Sequence, residues 1–285
     1  MVSNSGSGGS VLFEKRGAVA ILTMNRPRYR NAQHTAMTYA LDDAFMKAAH
    51  DDSVKVIVLT GSGDHFSSGH DLGTPDVAEG MPFAPRSAWW GDADKPGVEG
   101  RLAREEEIYL GMCRRWREIP KPTIAMVRGA CIAGGLMLAW ACDLIVASED
   151  AYFLDPVIDL GIPGVEYFAH PWEFGSRQAK EFLFMAEPVS AERAFSLGMV
   201  NRVVSGDRLE AETMEMAEAI AERDRLSLAL VKKAVNMAED AGGRRSGMDA
   251  AFMIHQLAHS HWSELTGDIV NNRHVRKDGN ASRSQ

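Results

Sequence analysis

Two glycine-containing turns each follow an apolar run and precede a helical pattern: His65-Phe-Ser-Ser-Gly-His-Asp-Leu72 and Gly129-Ala-Cys-Ile-Ala-Gly-Gly-Leu136. Backbone N–H groups at helix N-termini lack partners and sit at the positive end of the helix dipole, so two that converge on one point can hold a developing oxyanion. Neither turn matches GxGxxG or GxxxxGK[ST], which excludes dinucleotide and nucleoside-triphosphate readings on the residues themselves. Glu166 and His170 stand four apart after the Pro163-Gly164 turn, where a helix is expected to start, and on a continuous helix they would pair as carboxylate and imidazole. Arg26, Arg28 and Arg30 cluster beside Pro27, and guanidinium groups pair bidentately with phosphate. His255 and His259, with His261 nearby, have a spacing that can bind metal, but no carboxylate stands at fixed spacing to them, so a surface or subunit contact is expected.

Several elements must position these groups. Val19–Met24 and Val54–Thr60 are short β-branched runs that read as strands, and Thr35–His50 between them has apolar residues at helical spacing, with Asp42 and Asp43 expected to face out. A second unit follows: a helix over Arg101–Glu118, in which Glu105, Glu106 and Glu107 read as a solvated face, then strands at Thr123–Val127 and Leu144–Ala147. Beyond Ser190 the pattern is nearly all helical, in segments near 190–197, 207–223, 225–240 and 246–262, with Val200–Val204 extended. The expected organisation is a tail at 1–10, an α/β core at 11–204 and a helical region at 205–285. Gly73–Gly100, rich in Gly, Pro and Asp and carrying Trp89-Trp90, reads as a long irregular excursion of the kind that serves as a lid or binding loop.

Composition narrows the partners. The 285 residues are 45% hydrophobic and 25% charged, ordinary globular usage that excludes global disorder. Thirty-nine acidic residues against 31 basic ones give a net charge of −8, the wrong sign for coating nucleic acid. Three cysteines without a CxxC pair argue against a disulfide framework or a thiolate zinc site. MVSNSGSGGS at the start has no basic or apolar signal region, and the longest apolar stretch, Gly129–Cys142, is too short to span a bilayer. A cytoplasmic protein, bound to neither membrane nor nucleic acid, is expected.

The order of these motifs resembles the crotonase superfamily, the enoyl-CoA hydratase/isomerase family. The matching features are Met24-Asn-Arg-Pro27 with Asn31-Ala32, Phe66–Leu72, Lys121–Gly129 leading into Ala133-Gly-Gly135, Cys142–Ala147, Phe153–Gly164 and Ser190–Val203, spanning about residues 11 to 270. The resemblance implies an α/β, crotonase-like spiral of ββα units with a C-terminal helical trimerisation region. It also implies an acyl-CoA substrate, with coenzyme A as part of the substrate and no separate cofactor or metal, and a homotrimer or dimer of trimers. Carried over position by position, the two oxyanion amides are those of His70 and Gly134, and the His70 imidazole is expected to face solvent. The arginines Arg26, Arg28 and Arg30 become candidate CoA phosphate contacts.

Departures from the family limit the carry-over. The two positions that resemble the glutamates of a hydratase are Met137 and Val157, and neither can act as an acid or base. Glu166 is the first candidate to replace them, one position after the site where some family members place a functional aspartate, and Asp155 is the second. The expected function is that of a hydratase/isomerase-family enzyme working through an oxyanion-stabilised enolate. Isomerisation, hydrolytic C–C cleavage of a bulky CoA ester and non-catalytic CoA binding are the alternatives.

Overall fold

The computed structural model describes residues 9–74, 85–86 and 93–271. Trp89-Trp90 and most of the irregular excursion lie outside the described residues. Strands β1 (Val11–Arg16) and β2 (Val19–Met24) form an antiparallel hairpin that turns at Gly17, whose φ of +57° suits glycine. Helix α1 (Thr35–His50) then carries the chain over to β3 (Val56–Gly61), parallel to β2. Strands β4 (Thr123–Val127), β6 (Leu144–Ser148) and β9 (Arg202–Val204) extend this sheet to the order β1-β2-β3-β4-β6-β9.

A second layer grows from the strand ends. β5 (Ala130–Ile132), β7 (Tyr152–Leu154) and β8 (Val189–Ser190) form a smaller sheet in the order β5-β7-β8. Parallel bridges from Ser67 to Cys131 and from Gln33 to His70 prolong it through the first glycine turn. The inner strands β2, β3, β4 and β6 are buried on both faces, as a parallel sheet requires, while the edge strands β1 and β9 are more exposed. Ile57 and Leu59 join the cluster with Phe45 and Trp116, while Val56 and Val58 join Leu209 and Ala217 of α8 (Leu209–Ala221) on the opposite face. Helices α9 (Arg225–Ala241) and α10 (Arg244–Thr266) complete the described chain, and among the described residues no helix is long and apolar enough to cross a membrane.

Three local expectations are corrected. Asp42 does not face out: it is fully buried and accepts hydrogen bonds from Trp116 Nε1 (2.8 Å) and Arg115 Nε (3.0 Å), because α3 (Met112–Arg117) packs against α1 there. The helix at 101–118 is three consecutive pieces, α2 (Gly97–Glu105), a π-helical stretch over Glu106–Gly111, and α3. No helix starts at Pro163-Gly164; residues 162–169 are irregular and α5 (His170–Phe174) begins only at His170, so Glu166 and His170 do not share a helix.

Candidate active site

The first glycine turn is held by Asn31, a fully buried residue at φ +55°. Its Nδ2 donates to the carbonyls of Ser62 (3.0 Å) and His65 (2.8 Å), and its Oδ1 accepts from the Arg26 N–H (2.9 Å). Gln33 continues the support: its N–H donates to the Gly69 carbonyl (2.8 Å), and its own carbonyl accepts from the Asp71 N–H (2.9 Å). The residue between, His70, has an N–H without an acceptor among the described residues. In the second turn Ala133 has φ +46° and ψ −113°, a conformation that costs about 1–3 kcal/mol in a non-glycine residue. This strained residue opens α4 (Gly134–Trp140) and leaves the Gly134 N–H, at the first helical position, equally without an acceptor.

The two turns touch. A Cβ at Gly69 would lie 3.1 Å from the Gly134 nitrogen, and one at Gly134 would lie 2.7 Å from His70 Cε1. Gly69 therefore needs glycine for close backbone approach, and Gly134 for the imidazole that lies over it. The His70 ring also stacks on Tyr109, with centroids 3.8 Å apart, and its Nε2 sits 3.1 Å from Glu166 Oε2. The expectation that this imidazole faces solvent is corrected: its side chain is 17% exposed and held between Tyr109, Gly134 and Glu166. Tyr109 comes from the π-helical stretch, where the wider turn sets its ring at this depth.

Glu166 is 5% exposed, a burial that by itself would raise its pKa. The imidazoles of His70 at Oε2 and His255 at Oε1 (3.7 Å) outweigh that effect and hold its carboxyl well below the ordinary range. Asp155 lies elsewhere. It is fully buried, its Oδ2 is 2.9 Å from His170 Nε2, and it accepts from the N–H groups of Val165 (3.2 Å) and Val157 (3.4 Å). The His170 partner is thus Asp155 and not Glu166, and the Val165 bond fixes the backbone immediately before Glu166. Met137 is buried in the core and Val157 packs against it, so no carboxylate occupies either of these positions.

The arginine cluster divides. Arg26 is buried and committed to Asp71 Oδ2 (2.8 Å), the Ala32 carbonyl (2.5 Å) and Thr74 Oγ1 (2.9 Å), which removes it from the candidate phosphate contacts. Burial would raise the Asp71 pKa, but hydrogen bonds from Thr74, Arg26 and Gly73 hold it at about 2. Arg28 and Arg30 remain exposed.

Residues missed by sequence reasoning gather on the other side of Glu166. Glu105 is buried and not part of a solvated face, and Glu107 is buried with it. His255 and His259 are buried rather than superficial, with Nε2 atoms 3.8 and 3.7 Å from Glu105 oxygens, so the carboxylate absent from their sequence neighbourhood comes from α2. Burial, then the charge of Glu166, pushes the Glu105 carboxyl up to about 8, and burial takes His259 down to about 4. The spacing of Glu105 and Tyr109 and of His255 and His259 put each pair on one helix face, which was the available signal. Nothing local in the sequence joined the two helices.

The chain's sequence and fold are shared with known proteins. The family profile described as enoyl-CoA hydratase/isomerase matches residues 14–92 and 100–264. The chain belongs to the enoyl-CoA hydratase/isomerase family. Among its curated relatives, EchA13 of Mycobacterium tuberculosis, named as a candidate enoyl-CoA hydratase, is 45% identical over 255 residues, covering 88% of this chain and 80% of that protein. A crystal structure of a candidate enoyl-CoA hydratase from Mycobacterium smegmatis superposes with a TM-score of 0.83 at 42% identity, over 92% of this chain and 99% of that one. An enoyl-CoA hydratase/isomerase from Xanthobacter autotrophicus Py2 gives 0.76 at 33% identity, over 91% and 94%. The family match and these neighbours make the architecture that of the crotonase superfamily, an α/β core with a C-terminal helical region.

Proposed function

We propose that this hydratase/isomerase-family enzyme shifts the double bond of an enoyl-CoA through a thioester enolate, with Glu166 as its single acid/base. The supporting observation is the juxtaposition of two acceptor-free N–H groups, at His70 and Gly134, with one buried carboxylate hydrogen-bonded to the His70 ring. In this reading the thioester oxygen lies between the two amides, which act where negative charge develops. Glu166 takes a proton from one carbon of the allylic system, the enolate forms, and Glu166 returns the proton two carbons away; no water is consumed. His70 positions Glu166 through its Nε2, and Asp155 positions the backbone before it through the Val165 N–H. Hydration would require a second group to direct water, and the two family positions that could supply it are Met137 and Val157. The exposed Arg28 and Arg30 are proposed to meet the CoA phosphates.

Assembly is part of the same reading. Leu226, Leu230, Val231, Val235 and Met237 of α9 and Met253, Ile254 and Leu257 of α10 are exposed, apolar area that a homotrimer or dimer of trimers would cover. The test of function is incubation with 2-enoyl- and 3-enoyl-CoA pools in heavy-oxygen water, read by mass spectrometry. The expected result is a positional isomer without labelled water, and loss of turnover with retained ligand binding in Glu166→Gln. Incorporation of one labelled water, or an unchanged rate in Glu166→Gln, would overturn the proposal.

A further inference from the structure

Three donor side chains converge beside Glu166, and one of them, His255, lies 3.7 Å from Glu166 Oε1. Among Glu105, His255 and His259, each buried, one ligand atom apiece can be chosen so that all lie within 4.8 Å of one another. His255 Nε2 is 3.8 Å from Glu105 Oε2, and His259 Nε2 is 3.7 Å from Glu105 Oε1. Both distances exceed hydrogen-bond reach.

The far side of each ring explains what faces inward. His255 Nδ1 lies 2.8 Å from the Gly164 carbonyl and His259 Nδ1 lies 2.6 Å from the Ile269 carbonyl. A carbonyl only accepts, so both Nδ1 atoms donate, and in each neutral ring Nε2 carries the lone pair. Two lone pairs thus point at a carboxylate, and His255 Nε2 is buried with no hydrogen-bond partner. Two imidazole lone pairs and a carboxyl group crowded into a buried space need a proton or a metal cation among them, and a proton on Glu105 would meet neither Nε2 at hydrogen-bond distance, so a metal cation is the better bridge. The carboxylate is itself oriented, since Gln256 Nε2 donates to Glu105 Oε2.

We infer that Glu105, His255 and His259 form a binding site for a divalent transition-metal cation, of which Zn²⁺ is the best match. Two imidazole nitrogens and a carboxylate are a borderline donor set that suits zinc better than calcium or magnesium. Ligand distances of about 2.0–2.2 Å place tetrahedral donors roughly 3.3–3.5 Å apart; the two histidine–carboxylate separations exceed this by a few tenths of an ångström, and the three ligand atoms, within 4.8 Å of one another, would have to draw together by up to about 1.4 Å around one ion. The Nδ1 bonds to backbone carbonyls are the outer contacts that fix the tautomer and orientation of metal-bound imidazoles. His255 Nε2 lies 3.7 Å from Glu166 Oε1, so the site borders the proposed acid/base without depending on its role.

The test uses the full-length protein stripped with chelator, titrated with Zn²⁺ against a chromophoric competitor and with Co²⁺ by visible absorption. One equivalent of Zn²⁺ per chain is expected. His255→Gln and His259→Gln should each weaken binding on the order of 100-fold, and Glu105→Gln at least about 10-fold. His261→Gln, at an exposed residue of the same helix, should bind as the parent does. Nitrogen-15 spectra of the unmutated protein give a second readout: Zn²⁺ should shift two Nε2 resonances and leave their Nδ1 partners protonated. Substoichiometric binding, parental affinity in either histidine variant, or unmoved Nε2 resonances would each overturn the assignment, whatever reaction the enzyme proves to catalyse.

Discussion

Gly134→Ala separates the backbone donor from the imidazole that lies over it. The added Cβ would meet His70 Cε1 at 2.7 Å and Nδ1 at 2.8 Å, about 0.7 Å short of an ordinary 3.4 Å contact. The ring has little room to retreat, since Tyr109 stacks on it at 3.8 Å and Glu166 holds its Nε2 at 3.1 Å. Relief must come from moving the ring, and Glu166 with it, or from rotating the Gly134 N–H away from its present direction. Misplacing one oxyanion donor costs about 10²–10³ in kcat, roughly 3–4 kcal/mol. Folding should change much less, because Gly134 begins α4 with helical geometry and alanine restricts the unfolded chain, offsetting overpacking by about 1 kcal/mol. His70→Ala keeps its own N–H and vacates the space a Cβ at Gly134 needs. The double variant should therefore be no slower than Gly134→Ala alone, a non-additivity measurable as a double-mutant cycle in kcat with urea melts alongside. A Gly134→Ala enzyme within about threefold of the parent kcat would refute the reasoning, as would fully additive losses.

The other expectations are briefer. Glu166→Gln should lower kcat by about 10²–10⁴ with unchanged CoA-ester affinity, measured by steady-state kinetics and calorimetry. Asp155→Asn should destabilise by about 3 kcal/mol in urea melts, because it breaks a fully buried pair with His170; an inactive variant of parental stability would instead make Asp155 the acid/base. Burial raises the Glu173 carboxyl from 4.5 to about 7 against the pull of Arg244, so the folded state holds its proton over a window in which the unfolded chain has lost it. That contribution is fully present below pH 4.5 and is lost by about pH 7, so the stability of Glu173→Gln relative to the parent should rise by up to about 3 kcal/mol across the window. Charges at Leu230 and Val235, both exposed on α9, should reduce the mass seen by light scattering to that of a monomer.

The helices and parallel strands were legible because each spans enough residues to show a period. α1 and the run of helices after Ser190 stand close to where apolar spacing puts them. β1 was not, since on this edge strand Glu14, Lys15 and Arg16 are all exposed and leave little alternation to read. The small sheet also escaped notice: its strands have three, three and two residues, too short for any periodicity. Pro163-Gly164 gave a helix-start signal, but Gly164 sits at φ +152°, outside helical geometry, and the chain stays irregular until His170.

What the site buries explains why half of it was unreadable. A glutamate on a helix is ordinarily solvated, and Glu105-Glu106-Glu107 looks the part, yet Glu105 and Glu107 are among the most buried charged side chains. Such groups are tolerated only where partners compensate them, and the partners here lie far away in sequence: Gln256 for Glu105, and Arg115 and Trp116 for Asp42. The glycine turns were readable because their function resides in the backbone, which a short motif specifies by itself. His70, Glu166, Glu105 and the α10 histidines act through side chains that meet only after α2 and α10 pack together. The π-helical stretch is where these two kinds of information join. It begins immediately after Glu105, which turns toward α10, and contains Tyr109, which turns toward His70, so that one irregular turn links the metal-type cluster to the oxyanion pair.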